Sequence, residues 1–267
     1  MNYQIFKYSL VAVFLFISLE SSGQFINDAK RWYNLHGKVR SCTETGYNLI
    51  KGDTTGKHIN MFDSVVFNRK GQVTKAFNSN TVRGADINKR FCTEYKYDVK
   101  GDLLEQLYHN TNGITVAKCI YSYSTSKKMV ILKIYLLQEK DSSRVSDSYK
   151  IDASGQILER YHYNETFVPD VKYQYSKTVY KYDAKGLRVE VVSYDLNGEK
   201  KSRRLSKYNQ NNEMEETDFI WLPDQRANET LTYTYPGHDK RNNWLVRNRY
   251  IHGRLHSVNE RTIIYYK

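Results

Sequence analysis

The sequence predicts an all-β chain: an antiparallel meander of about 14 strands from seven hairpin repeats, in a strongly curved or rolled sheet, with a short N-terminal helix. Three observations predict it. Tyr is abundant, at 24 residues against only 3 Pro, and Tyr, Val, Ile and Thr favour strands. Polar and apolar residues alternate with period two, the period of a strand. A polar turn recurs at near-constant spacing, which signals a repeat architecture.

The chain opens on an expected export signal. Lys7 gives a short positive region, Ser9 to Leu19 is apolar, and Ser21-Ser22-Gly23 supplies small residues for cleavage before Gln24. The apolar run is shorter than the ~20 residues of a spanning helix, so no membrane span is expected after cleavage. An uncleaved anchor is the alternative. Asn27-Asp28 is expected to cap a short helix through Ala29, Trp32, Tyr33 and Leu35, ended by Gly37. A frayed arm is the alternative there. Lys38 to Leu49 reads as a first strand. The expected organisation is a signal peptide over 1–23, a helix and entry strand over 24–60, and a repeat domain over 61–267.

The clear turn copies are Phe67-Asn68-Arg69-Lys70-Gly71, Tyr97-Asp98-Val99-Lys100-Gly101, Ile151-Asp152-Ala153-Ser154-Gly155 and Tyr182-Asp183-Ala184-Lys185-Gly186. Weaker copies start at Tyr123, Tyr208 and Tyr235, the last with an insertion at Pro236-Gly237. The aligned turn positions are 71, 101, 127, 155, 186, 212 and 242. Asp98, Asp152 and Asp183 are expected to bond their own backbone two residues on. Gly71, Gly101, Gly155 and Gly186 are expected to supply the left-handed conformation that closes a hairpin through a bulge. Asn212 substitutes for Gly, and Lys127 does so less well. Asn112-Gly113 and Asn197-Gly198 mark hairpin turns at the opposite end. Strict alternation puts Leu187, Val189 and Val191 on one face, and Ile157, Glu159 and Tyr161 on another.

The Tyr-Asp turn units at Tyr97–Leu103 and Tyr182–Gly186 resemble the YD repeats of the RHS family, over roughly residues 61 to 267. The layout is also similar to small secreted repeat proteins of Bacteroidetes, in which a Leu-x-Gly-Lys-Val entry strand, here Leu35 to Val39, precedes YD-like units. Their closing Asn-Trp pair is matched by Asn243-Trp244. The resemblance implies fold and export. It implies no catalytic residue, and with so few units a toxin-enclosing shell of the large RHS kind is not expected.

Catalytic chemistry is sparse. There is no phosphate-cradling glycine loop, nucleophile elbow or zinc-ligand spacing. His252 and His256 lie four apart, a metal spacing on a helix but not on a strand and turn. Asp98, Asp152 and Asp183 recur in register, yet their turn role accounts for them, and no metal or other cofactor is expected. Glu105, Glu159 and Glu190 follow the turns at similar offsets and leave an envelope-polymer hydrolase as an alternative reading. Three cysteines, Cys42, Cys92 and Cys119, are an odd number, and Cys92 and Cys119 fall too far apart to bridge.

The net charge of +12 suggests anionic partners: an envelope glycan, a lipid headgroup or an acidic protein. Export argues against nucleic acid. Oligomeric state is left open. Tyr95, Tyr97, Tyr180, Tyr182, Tyr233, Tyr235 and Trp244 are the binding candidates, as aromatic rings set beside Lys and Arg; the alternative is that these tyrosines form the core. The leading expectation is an exported non-enzymatic binding or scaffolding protein of the cell envelope, in the periplasm, on the cell surface or outside the cell. An outer-membrane β-barrel is the second reading.

Overall fold

The computed structural model describes residues 34–49, 57–80, 91–124, 129–137, 143–163, 175–222 and 229–267. The expected signal peptide, nearly all of the expected helix and the turn at Lys127 lie outside the described residues. The described residues form sixteen antiparallel strands in one closed barrel, each paired with its neighbours in sequence and the first with the last.

In chain order they are β1 (Val39–Leu49), β2 (Lys57–Phe67), β3 (Val73–Asn80), β4 (Phe91–Tyr97), β5 (Leu103–His109) and β6 (Thr115–Tyr123). Next come β7 (Met129–Leu136), β8 (Ser143–Ile151), β9 (Ile157–Tyr163), β10 (Tyr175–Tyr182) and β11 (Arg188–Tyr194). The last are β12 (Lys200–Tyr208), β13 (Met214–Trp221), β14 (Glu229–His238), β15 (Trp244–Ile251) and β16 (Arg254–Tyr265).

This corrects the expected strongly curved or rolled sheet of about 14 strands. The seven repeat units do correspond to fourteen strands, β2 to β15. The entry strand β1 and the final strand β16 lie outside them, and these two pair from Val39↔Tyr265 to Asn48↔Ser257. Their pairing leaves no open edge, so a meander becomes a barrel.

The turns explain the curvature. At Asp98 the backbone N–H of Gly101 donates to the Asp98 carbonyl (3.1 Å), and Asp98 Oδ1 accepts from the Asp102 N–H (2.8 Å). Gly101 has φ +95°, and Asn212 and Asn242 take the same left-handed conformation. Asn110–Gly113 and Asp195–Gly198 repeat this bonding at the other end of the barrel. The Asn-Gly pairs are therefore the second halves of four-residue turns, not two-residue hairpins.

A bulge follows each of these turns, three residues past the left-handed position. Tyr97 faces Leu103 and Lys96 faces Glu105, leaving Leu104 as the extra residue. Thr74, Leu158, Val189 and Glu215 hold the same place in their units, and Val116 and Lys201 hold it at the opposite end. A bulge adds twist and bend, and repeating it at both ends curls the sheet towards closure.

The bulge also overturns the strict alternation expected after each turn. An extra residue reverses the phase. Ile157 is buried, whereas Glu159 pairs with Lys150 on the outer face. Arg188, against the inward Tyr180 ring, and Glu190, bonded to the outer Lys181, likewise lie on opposite faces.

Burial identifies the inward face. Val130 and Leu132 are fully buried, and Leu103, Cys119, Tyr121, Tyr149, Ile151 and Ile157 pack with them. A second cluster joins Leu35, Val39, Cys42, Val65, Phe67 and Val73. No other described element covers the outside, so these side chains point towards the barrel axis.

Candidate functional site

The inward face is not purely apolar. Asp147 on β8 is fully buried and accepts from Arg160 Nε (2.6 Å), with His162 Nδ1 at 3.2 Å. Burial works against the Asp147 charge, but His162 and Arg160 outweigh it and hold the carboxyl below its ordinary range. Gln106 Oε1 accepts from the Tyr108 and Tyr121 hydroxyls at 2.7 and 2.9 Å.

A larger polar cluster sits where the barrel closes. Glu44 on β1 accepts from Arg247 Nη2 (2.9 Å) on β15, and from Arg261 Nε (2.9 Å) and Asn259 Nδ2 (2.8 Å) on β16. Burial pushes Glu44 up, and the two guanidiniums more than reverse that. Asp63 is Glu44's cross-strand partner. Burial, reinforced by the Glu44 charge, pushes its carboxyl up to about 7. Trp244 lies under two cations, Arg261 at 3.4 Å and Arg247 at 4.9 Å from the ring centre.

Arginines and aromatic rings continue around the same face. Arg247 lies 5.8 Å from the centre of the Tyr233 ring, Arg204 lies 5.7 Å from Phe219, and Arg188 lies 5.6 Å from Tyr180. The buried Nε atoms of Arg247 and Arg249 and Nη2 of Arg160 have no hydrogen-bond partner.

The proposed binding tyrosines all belong to this inward face. Tyr95, Tyr97 and Tyr180 pack against the apolar core. Tyr182 and Tyr235 donate to the Ile157 and Met214 carbonyls, at 2.8 Å each. Tyr123 and Tyr208 do the same to Leu103 and Arg188, at 3.0 Å each. In every case the tyrosine lies at or near the end of the first strand of one hairpin unit, and the carbonyl begins the second strand of the preceding unit. The sequence reading placed Tyr123, Tyr182, Tyr208 and Tyr235 in the turn units. It missed the hydroxyl bond between units, whose signal is the fixed offset from Tyr to the previous turn. It also missed the inward arginines, which lie scattered along the chain and meet only through registry.

The outer face is a girdle of ion pairs: Lys75–Glu94 (2.7 Å), Lys96–Glu105 (2.7 Å) with Lys118, Lys150–Glu159 (3.3 Å), Lys181–Glu190 (2.7 Å) with Arg203, and Lys207–Glu216. Glu105, Glu159 and Glu190 are thus each neutralised by lysine on the outside. His252 lies in the final turn with φ +49°, and exposed His256 meets Arg249 Nη2 at 2.9 Å. No metal-ligand group occurs among the described residues. All three cysteines are free. Cys119 is buried inward, whereas Cys92 sits on the outer face beside Lys75 and Glu94, so the wall itself separates them.

No family model matches the chain. No curated protein is similar to it, so the YD-repeat resemblance rests on the turn motif. Solved structures give matches of low identity. A porin-like protein from Bacteroides uniformis matches over 86% of this chain and 99% of its own, at 11% identity and TM-score 0.30. One from Bacteroides vulgatus matches over 85% and 98%, at 11% identity and TM-score 0.36. The Photorhabdus luminescens Tc holotoxin pore matches over 77% of this chain and 14% of its own, at 12% identity and TM-score 0.24.

Proposed function

We propose that this chain is an exported, non-enzymatic β-barrel of the cell envelope that binds or scaffolds another envelope component and stands in water. The outer ion-pair girdle carries this reading. A lipid-facing wall needs an apolar band, and a Lys or Arg at its midplane costs about 2–4 kcal/mol. Here Lys118 on β6 and Arg203 on β12 lie on the outer face in mid-strand, and Lys96, Lys150, Lys181 and Lys207 stand on the same face beside the turns. The inward face, with its arginines and tyrosines, is the surface left for a ligand.

A specific observation favours the second reading, an outer-membrane β-barrel: the sheet is closed and sixteen strands wide, an architecture that crosses membranes with every backbone group paired. Closure fits that reading better than it fits an open scaffold. Fractionation of cells expressing the full chain separates the two. Release of the mature chain without detergent supports the water-standing barrel. Retention in a carbonate-washed membrane pellet, with detergent needed for extraction, supports the membrane barrel.

A further inference from the structure

We infer that the inward face between β12 and β16 binds a phosphate or sulfate group, entering from the end of the barrel that carries the His252-Gly253 turn. The inference rests on the binding-barrel reading and deepens it.

Arg204, Arg247 and Arg249 converge on Tyr233. Arg249 is its cross-strand partner, and Arg247 lies 5.8 Å from its ring. Arg204 lies against Phe219 on the neighbouring strand, and all three guanidiniums favour the ionised form of the Tyr233 hydroxyl, against the larger effect of burial. Arg261 completes the group. The carboxylates that face it among the described residues include Glu44, already bonded to Arg247 and Arg261, Glu229, near Tyr233, and Glu213, near Tyr235 and paired with His238. Asp63 also lies nearby, its charge weakened by burial.

This arginine group carries unused donors. Nε of Arg247 and Nε of Arg249 are buried without an acceptor. Buried donors left unmade are expensive, and guanidinium forks match the paired oxygens of a tetrahedral oxyanion. Arg249 also reaches His256, which is exposed, so the cluster opens to solvent at that end. A phosphate or sulfate ester would supply acceptors to both Nε atoms.

The test is calorimetric titration of the full mature chain with inorganic phosphate, inorganic sulfate and a sulfated disaccharide, with ionic strength held constant by chloride. Saturable binding is expected. Arg249→Gln should weaken it about tenfold, as loss of a charge-assisted bond does, and the outward Arg203→Gln should leave it unchanged. Tighter binding of the disaccharide than of the free anions would identify a glycan ester as the source, and equal binding would identify the bare anion. If Arg249→Gln does not fold, Arg249→Lys keeps the charge without the fork and should bind more weakly than the parent. Heats no larger than those of chloride, or equal losses in Arg203→Gln and Arg249→Gln, would overturn the inference. If the chain stays in membranes, the water-standing reading fails, and the same titration in detergent micelles still decides this one.

Discussion

Asn243 grips the backbone of His36 across 207 positions of sequence: its Oδ1 accepts from the His36 N–H at 2.6 Å, and its Nδ2 donates to the His36 carbonyl at 3.1 Å. The side-chain amide thus serves the entry segment as a neighbouring strand would. The Tyr265 hydroxyl accepts from the same Nδ2 (2.6 Å) and donates to Asp239. Next to His36, Gly37 sits at φ +84°, and a Cβ there would lie 2.8 Å from Arg241 Cδ. Arg241 in turn stacks on Tyr265 at 3.9 Å. The Leu-x-Gly-Lys-Val entry and the Asn-Trp closing pair are therefore two halves of one latch.

Asn243→Ala is expected to lower the unfolding free energy by about 2–4 kcal/mol, because it orphans buried donors and acceptors at the seam. Gly37→Ala should cost about 1–2 kcal/mol through left-handed strain alone, and more if Arg241 cannot move. Urea denaturation of each variant checks both.

Asp63 ties stability to pH. Its folded carboxyl is raised to about 7, against about 3.9 for an unfolded Asp. Below the lower value both states hold the proton and burial carries no charge penalty. Between the two values the unfolded chain releases the proton first, so this site's stability is lost as pH rises towards and through 7. Asp63→Asn should therefore match the parent near pH 4 and exceed it at pH 8. Denaturation midpoints at the two pH values read the difference, and equal pH slopes would refute it.

The inter-unit tyrosine bonds should be small and repeated. Tyr208→Phe and Tyr123→Phe each remove one hydroxyl from a backbone carbonyl, for an expected loss of about 1 kcal/mol apiece. The two sites share no partner and should add. Hydrogen exchange should quicken next to Arg188 in the first variant and next to Leu103 in the second.

The buried pair on β8 and β9 should behave differently from the outer girdle. Asp147→Asn leaves the buried Arg160 charge uncompensated and should cost about 3–5 kcal/mol. Lys207→Gln breaks an exposed pair and should cost less than about 1 kcal/mol. Salt should weaken only the second pair's contribution, which chemical denaturation at low and high ionic strength measures.

The turn residues made the all-β antiparallel fold legible. Asp98 with Gly101, and Asp183 with Gly186, specify hairpins through local backbone chemistry that needs no partner elsewhere. The inward tyrosines were legible too, since they precede the turns at a constant offset. The phase reversal after each turn was not, because Leu104 or Val189 reads as one more alternating residue until cross-strand pairing makes it the extra one.

The sequence by itself determined the repeated ribbon and its reversals, since these depend on contacts within a few residues. Only the tertiary structure decided that the ribbon closes, because closure requires β1 and β16 to pair across the whole chain, with Asn243 holding His36 and Glu44 holding Arg247 and Arg261. The same closure gathers arginines from β12, β15 and β16 onto one inward face. A long-range juxtaposition of this kind leaves no local pattern to read, because its residues become neighbours only after the curvature of every preceding hairpin has accumulated.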